Sequence, residues 1–429
     1  MSMNFFIYLL FIKKLCLFCT ICQCKNKNVY FAYSYTEKNS NERNYIMKKI
    51  FAFFLVLITA LLPVYSARAD IEAAVSGVNL ELSGESACLM EASTGEILYE
   101  QNPDEHLEPA SVTKIMSLLL ICEALDDGSL TLSDMVTGSD KASSMGGSQI
   151  WLEPGEQMSV DDMVKAMVVV SANDCTVAMA EHLAGSEEAF VARMNKKAAE
   201  LGMANTNFVN STGLPIENHY TTARDIALMT RELLKHEVIL NYTGIWMDSL
   251  RNGEMGLSNT NKLIRFYPGA NGMKTGYTDS AKYCLSATAK REKLQLIAVV
   301  MKAPSSDERF SDAKKLLDFG FANFSLYSTD VSYLPNIKIT GGVKKSTELC
   351  CDTSEILVAK GREGQIVPYV ELPEKIKAPV NKGDIVGTIT YKIGDETVAK
   401  VDITAAESVK RAGFLDIIKE IFYRTVSLS

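Results

Sequence analysis

The sequence predicts a mixed α/β (α+β) protein. An antiparallel sheet flanked by helices carries an all-helical insertion, and a small C-terminal all-β domain and a terminal amphipathic helix follow. Three observations lead there. Strand-like runs stand at both ends of a region of roughly 250 residues, with a long helical block between them. After Tyr327 the composition shifts to short β-rich runs separated by glycine turns. Finally, Phe414, Ile417, Ile418, Ile421, Phe422 and Val426 fall at helical spacing, with Lys410, Arg411, Lys419 and Arg424 around them.

The chain has 429 residues, 47% of them hydrophobic, enough for more than one domain and a sizeable core. Its formal charge is −8 and its pI near 5.3. No global basic field is present to hold nucleic acid, so no nucleic-acid partner is expected.

The N-terminal region reads as targeting rather than fold. From Met47, a basic pair (Lys48, Lys49) precedes an apolar run (Ile50 to Leu62) and a small-x-small site, Ala67-Arg68-Ala69, before Asp70. That is a secretory signal pattern, too short and wrongly flanked for an ordinary membrane span. Met47 is therefore expected to be the true start and residues 1–46 an upstream-translation extension. The alternative is a genuine extension with its own apolar stretch, Phe5 to Ile12. Cys16, Cys19, Cys22 and Cys24 fall in that extension. No second cluster or His pair follows them, so no metal site is expected. Cys88, Cys122, Cys175 and Cys284 lie in apolar runs and read as small buried hydrophobes. Cys350 and Cys351 are adjacent, which would strain a mutual bridge, so no disulfide framework is expected.

Ala87 to Asn102 reads as two strands around a Ser93-Thr94-Gly95 turn. Ser111 to about Leu125 reads as a helix apolar on nearly every side, hence central to a core. A capping box at Ser159 opens a helix to Val170, and another helix runs from Asp174 to Ala184, stopped by Gly185. Thr222 to Asp225 is a further capping box, opening a helix to about Lys235. Tyr283 to Lys290 and Leu294 to Met301 read as strands joined by a charged turn, and a helix ends near Phe324.

Pro109 to Leu120, PASVTKIMSLLL, poses the chemical question. A lysine in an apolar helix is costly unless something uses it. Ser111 and Lys114 are three residues apart, so they share one helix face at its N-terminus. Free N–H groups there favour an oxyanion, and the lysine can take the serine's proton. Lowering a lysine pKa from ~10.4 towards 7 requires roughly 5 kcal/mol of differential stabilisation. Burial and a second cation can supply it. Ser-x-x-Lys alone is weak. A second copy, Ser311 to Lys314, sits on an amphipathic helix and reads as a solvated face. The first copy has company: Ser171-Ala172-Asn173 at a polar break between helices, and Lys274-Thr275-Gly276 before the paired strands. The glycine leaves a strand edge open to a ligand backbone.

The three elements, in this order, resemble the Ser-x-x-Lys, Ser-x-Asn and Lys-Thr-Gly set of the penicillin-interacting serine enzymes. Further stretches (Asn210 to Pro215, His219 to Met229, Asn271 to Arg291) look like the D-alanyl-D-alanine carboxypeptidases, the low-molecular-weight penicillin-binding proteins. The likeness runs from about Asp70 to the C-terminus. It implies a β-lactamase/transpeptidase-like fold divided as 70–327 catalytic domain, 328–405 β domain and 406–429 membrane-associating helix, after a signal peptide at 47–69. It implies removal of the terminal D-alanine from peptidoglycan stem pentapeptides by an exported enzyme at the outer face of the cytoplasmic membrane. β-Lactams would be covalent inhibitors, and no metal or cofactor would be needed. The implied catalytic residues are Ser111 (nucleophile), Lys114 (base), Ser171, Asn173 and Lys274. The implied substrate-binding residues are Lys274, Thr275, Gly276 and Tyr277, with the N–H groups of Ser111 and Tyr277 as oxyanion hole. Two departures stand out. Gln295 replaces an arginine that some relatives carry near the carboxylate, and Cys175 stands where alanine is expected.

The nearest rival is a serine β-lactamase of the same fold. Glu237 to Asn241 mimics its Glu-x-x-Leu-Asn signature, but falls late in the chain and reads better as a helix end. A catalytically inactive wall-binding relative is the alternative from another class; it would be expected to lose the serine or a lysine. No Gly-x-Ser-x-Gly elbow or His-Glu-x-x-His motif occurs. His106, His182, His219 and His236 are expected at surface or capping positions.

Overall fold

The first hairpin forms around a buried carboxylate. Glu91 accepts from the backbone N–H of Ser93 (3.0 Å) and Thr94 (2.7 Å), and from both of their hydroxyls. Gly95, at φ +78°, completes the reversal. β1 (Ser86–Glu91) and β2 (Ile97–Gln101) are thus the pair expected around this turn. The structure, a computed structural model, describes residues 77–329, 334–351 and 355–418. The expected extension, its four cysteines and the signal peptide lie outside the described residues.

Three more strands complete the main sheet: β3 (Ala270–Thr278), β4 (Lys282–Arg291) and β5 (Leu294–Ala303). The order is β2-β1-β5-β4-β3, antiparallel throughout. Both ends of the region therefore meet in mid-sheet, where Leu89 pairs with Ala298. The period-2 alternation of side chains sends residues to two different cores. Leu89, Leu296 and Val300 pack with Leu316, Leu317 and Phe321 of the closing helix. Cys88, Met90, Ile297, Val299 and Met301 pack on the helical block.

That block is built on α1 (Lys114–Asp126), which continues a single 3-10 turn, Ala110–Thr113. Its buried residues surround it, as its all-round apolarity requires. α2 (Val160–Val169) is capped by the Ser159 hydroxyl, and α3 (Asn173–Ala184) ends at Gly185, φ +81°. α4 (Glu187–Glu200) has no counterpart in the sequence reading. It is mostly polar, and its buried apolar stripe is Phe190, Met194 and Ala198, four residues apart, beside the buried Glu187. α5 (Ala223–Leu233) is capped by Thr222, and α6 (Ser306–Asn323) by Ser305. Cys88, Cys122, Cys175 and Cys284 are buried free thiols, as expected.

From Phe324 the chain is strand-rich. Phe324–Ser328 pairs with Glu355–Ala359. Ile337–Thr340 lies between Ser346–Thr347 and, in parallel, Lys375–Lys377. A four-stranded sheet joins Leu349–Cys350, Glu396–Ala405, Ile385–Ile393 and Ile366–Glu371 around Ile389, Tyr391 and Ile403. Residues 414–418 are helical, and Phe414, Leu415, Ile417 and Ile418 are exposed. The rest of the expected amphipathic helix lies outside the described residues. No helix among the described residues is long and apolar enough to cross a membrane.

The contact between α6 and the sheet has no slack at Gly320. A Cβ there would stand 2.5 Å from Leu296 Cδ1 and 3.2 Å from Leu89 Cδ2. Gly320→Val should destabilise the protein by about 1–3 kcal/mol through overpacking. Calorimetry should read a lower thermal midpoint, and an unchanged midpoint would show that the layer can move apart freely.

Candidate active site

The N-terminal turn of α1 carries both Ser111 and Lys114 because the chain is held from two sides. Gly213, at φ +84°, lies so close that a Cβ would stand 1.8 Å from Ala110 O. Gly276 on β3 approaches from the other side. A Cβ there would be 2.7 Å from Pro109 O and 3.1 Å from Ser111 N. Only glycine permits either approach. Ala110 itself sits at φ +48°, a strained setting for the residue before Ser111.

Lys114 is fully buried, and its Nζ has three neighbours: Asn173 Oδ1 at 2.6 Å, Thr212 O at 2.9 Å and Ser111 Oγ at 3.0 Å. Asn173 is oriented by its amide, which donates to Gly146 O at 2.7 Å. Two of the neighbours can only accept. In its neutral form the amine would engage both protons with these two and turn its lone pair to the Ser111 hydroxyl. Burial pushes the Lys114 pKa well below the usual lysine value, and the charge on Lys274 adds to this. Asp174 acts in the opposite sense. Its carboxylate is already occupied by the N–H groups of Ile150, Leu152 and Cys175.

Lys274 is also buried, and donates to Thr275 O at 2.9 Å. Burial first, then the nearby Arg309 charge, bring its pKa down to about 7. Ser171 stands at φ +66°, buried, and its hydroxyl has no partner among the described residues. A strained, unsatisfied serine of this kind points to function rather than stability. Thr275 donates to Thr260 Oγ1 at 2.7 Å. The Tyr277 ring is half exposed and packs against Tyr283 at a tilt of 37°, while its hydroxyl donates to Asp279.

The sequence reading missed Thr260, Arg309 and the Thr212 carbonyl. Thr260 had no local signal, since its loop is fixed by contacts with residues elsewhere in the chain. Asn259 and Asn261 on either side are buried and tie its loop to Ile245 O and Gly272 O. Arg309 stands at a core-facing position of α6, beside Phe310. One expectation is corrected: His219 is neither a surface nor a capping residue. It is buried beneath the site, where Nδ1 accepts from Val209 N–H (3.1 Å) and Nε2 meets Thr113 Oγ1 (2.9 Å). His106 and His182 are exposed.

Gln295 forms a reciprocal pair with Asn271, both contacts 3.2 Å. Asn271 precedes Lys274 by three residues, about 10 Å along the strand. Gln295 is therefore committed away from Thr275. Glu237 is exposed on a 3-10 turn next to His236, whose ring bonds Asp126 at the far end of α1. That end lies about 18 Å along the helix from Lys114. Among the described residues no cluster of His, Cys, Asp or Glu could hold a metal ion.

A serine beside a buried amine whose pKa burial lowers, on a helix wedged against the edge strand of an antiparallel sheet, places this protein among the penicillin-interacting serine hydrolases. Residues 72–305 match the profile of the D-alanyl-D-alanine carboxypeptidases, and residues 321–411 that of the penicillin-binding protein 5 C-terminal domain. The chain belongs to the D-alanyl-D-alanine carboxypeptidase family. It is 45% identical to the D-alanyl-D-alanine carboxypeptidase DacF of Bacillus subtilis over 87% of this chain and 97% of that one. Penicillin-binding protein 5 from Haemophilus influenzae superposes with a TM-score of 0.69 at 31% identity, covering 78% of this chain and 99% of that one. The ampicillin-bound penicillin-binding protein D2 of Listeria monocytogenes gives 0.53 at 32% identity, covering 57% and 100%.

Burial lowers the His219 pKa from 6.5 to about 4. The unfolded chain therefore binds more protons between those pH values, and stability falls as pH drops through that window. The shift corresponds to a loss on the order of 3 kcal/mol. Urea unfolding at pH 7 and pH 4 should show this loss beyond that of His219→Gln, which does not titrate. Equal losses in both proteins would show that His219 is not held neutral.

Proposed function

We propose that this enzyme removes the terminal D-alanine of peptidoglycan stem pentapeptides through an acyl-enzyme on Ser111. The observation that carries the reading is the Lys114 amine, fully buried, 3.0 Å from Ser111 Oγ, with its other two neighbours both acceptors. Ser111 Oγ attacks the carbonyl carbon between the two D-alanines, and its proton passes to Lys114. The C–N bond then breaks, and the departing amine takes a proton from Lys274 through Ser171. Proton passage from Lys114 to Lys274 then resets the pair. Water attacks the ester and gives a proton to Lys114, which returns it to Ser111 Oγ as the ester C–O bond breaks and the shortened peptide leaves. Asn173 holds Lys114 in place. Lys274 and Thr275 attract the substrate carboxylate, Gly276 lets the peptide backbone approach, and the N–H groups of Ser111 and Tyr277 receive the oxyanion.

β-Lactams acylate the same serine in this reading. The enzyme is exported by the segment at 47–69 and acts at the outer face of the cytoplasmic membrane, held there by the tail helix at 406–429. The exposed Phe414, Leu415, Ile417 and Ile418 support that attachment. Apolar side chains worth roughly 1.5–3 kcal/mol each when fully buried suffice for reversible binding.

Ser111→Ala should lower D-alanine release from a diacetyl-L-Lys-D-Ala-D-Ala peptide by at least about a thousandfold and abolish the adduct with labelled penicillin. Rapid penicillin hydrolysis without D-alanine release would make the protein a β-lactamase, and absence of any wild-type adduct would make it a binder. A chain ending after Ala406 should stay active and remain in the supernatant when membranes are sedimented. Unchanged sedimentation would remove the tail from the account.

A further inference from the structure

Arg309 is a buried cation that the reaction scheme does not use and no acid neutralises. It lies in the first turns of α6, 6% exposed. Nη1 donates to Gly276 O at 3.1 Å and Cys284 O at 3.2 Å, and Nη2 to Ser306 Oγ at 3.4 Å. The guanidinium carbon lies 5.4 Å from the Tyr283 ring centroid and 4.7 Å from that of Phe310. Nε has no hydrogen-bond partner. No carboxylate pairs with Arg309 among the described residues. A desolvated charge without a counter-ion is costly, so its place calls for a reason. The two carbonyls it holds supply one. Gly276 O is two residues from Lys274, and Cys284 is the cross-strand partner of Gly276.

We propose that Arg309 is a positioning residue, whose fixed charge beneath the Lys-Thr-Gly strand sets the protonation of Lys274 and, through it, of Lys114. This rests on the roles proposed above for the two lysines. The ionisable groups around the pair are Lys114 on α1, Asp174 on α3, Tyr283 and Cys284 on β4 and Arg309 on α6. Glu108 and Lys302 lie further out, by Cys284. Asp174 is occupied by three backbone N–H groups, and Glu108 by Ser280. Neither screens Lys274 from Arg309. Burial brings Arg309 down to about 10, still charged at neutral pH. Its field is the main charge acting on Lys274, and the Lys274 charge in turn acts on Lys114. The result is an order: Arg309 charged at neutral pH, Lys274 near its midpoint there, and Lys114 pushed toward its neutral form. One lysine is then the base and the other the acid at the same pH.

The test is the pH profile of D-alanine release by the full chain from the diacetyl tripeptide, for wild type, Arg309→Met and Arg309→Lys. Lys274 must be protonated to serve the leaving amine, so wild-type kcat/KM should fall on the alkaline side as Lys274 loses its proton. Removing the neighbouring cation raises the proton affinity of Lys274. The alkaline limb of Arg309→Met should therefore move up by about one pH unit. Arg309→Lys puts a buried amine in place of the guanidinium, which loses its proton more readily, and should move the limb by less than Arg309→Met does. A purely structural arginine would lower both variants at every pH and leave the limbs in place. That result, or an unmoved limb in Arg309→Met, overturns the inference. If Arg309→Met does not fold, Arg309→Gln can still donate to the two carbonyls and should show the same shift. A wild type that releases no D-alanine would overturn the proposed function itself, and the inference with it.

Discussion

Lys114 Nζ has no exposed surface and sits between an acceptor amide, an acceptor carbonyl and a hydroxyl. Those three oxygens can accept its hydrogen bonds, but none is a carboxylate, and Asp174 is already committed to backbone N–H groups. Burial without a counter-ion therefore pushes the amine toward its neutral form, and the surrounding structure follows from that desolvation. α1 must be apolar all round to exclude water from it. The loop bearing Thr212 must pass close by, which is why Gly213 lies against Ala110. The Ser171 to Asn173 corner must turn sharply enough to present Asn173 Oδ1, and the left-handed φ of Ser171 is part of that turn.

The sheet supplies the other half of the cleft. β3 is its edge strand, so one side of β3 pairs with β4 and the other is left to the site. Gly276 lets that edge reach the Ser111 turn. Lys274 on that strand and Arg309 beneath it add two more buried basic groups. The charge on one adds to the effect of burial on the next, so the lysines are lowered together.

The end of the cleft proposed above for the substrate carboxylate is built without Gln295. Gln295 is bound to Asn271 and does not reach Thr275. The hydroxyl that does reach Thr275 belongs to Thr260. A pair of neutral hydroxyls thus stands on this wall, with Lys274 as the nearby cation. The β-lactamase alternative loses its anchor for a comparable reason. Glu237 is exposed at the end of the helical block remote from Lys114.

The sequence by itself determined the class of fold, the strands β1, β2, β4 and β5, most of the long helices, and the residues at the heart of the site. These are written in local pattern: alternation, caps, an apolar helix interrupted by one lysine, and three short motifs. α4 escaped because its buried apolar stripe is only Phe190, Met194 and Ala198 in an otherwise polar run. His219 was misjudged because its burial depends on Val209 and Thr113, distant in the chain, satisfying both ring nitrogens. Thr260 and Arg309 became visible only when α6 and the loop before β3 were packed beside the Lys-Thr-Gly strand. Local spacing fixes which side chains share a helix or strand. Which desolvated charges come to lie beside one another, and so how far each lysine is pushed toward its neutral form, depends on the packing of elements far apart in the chain.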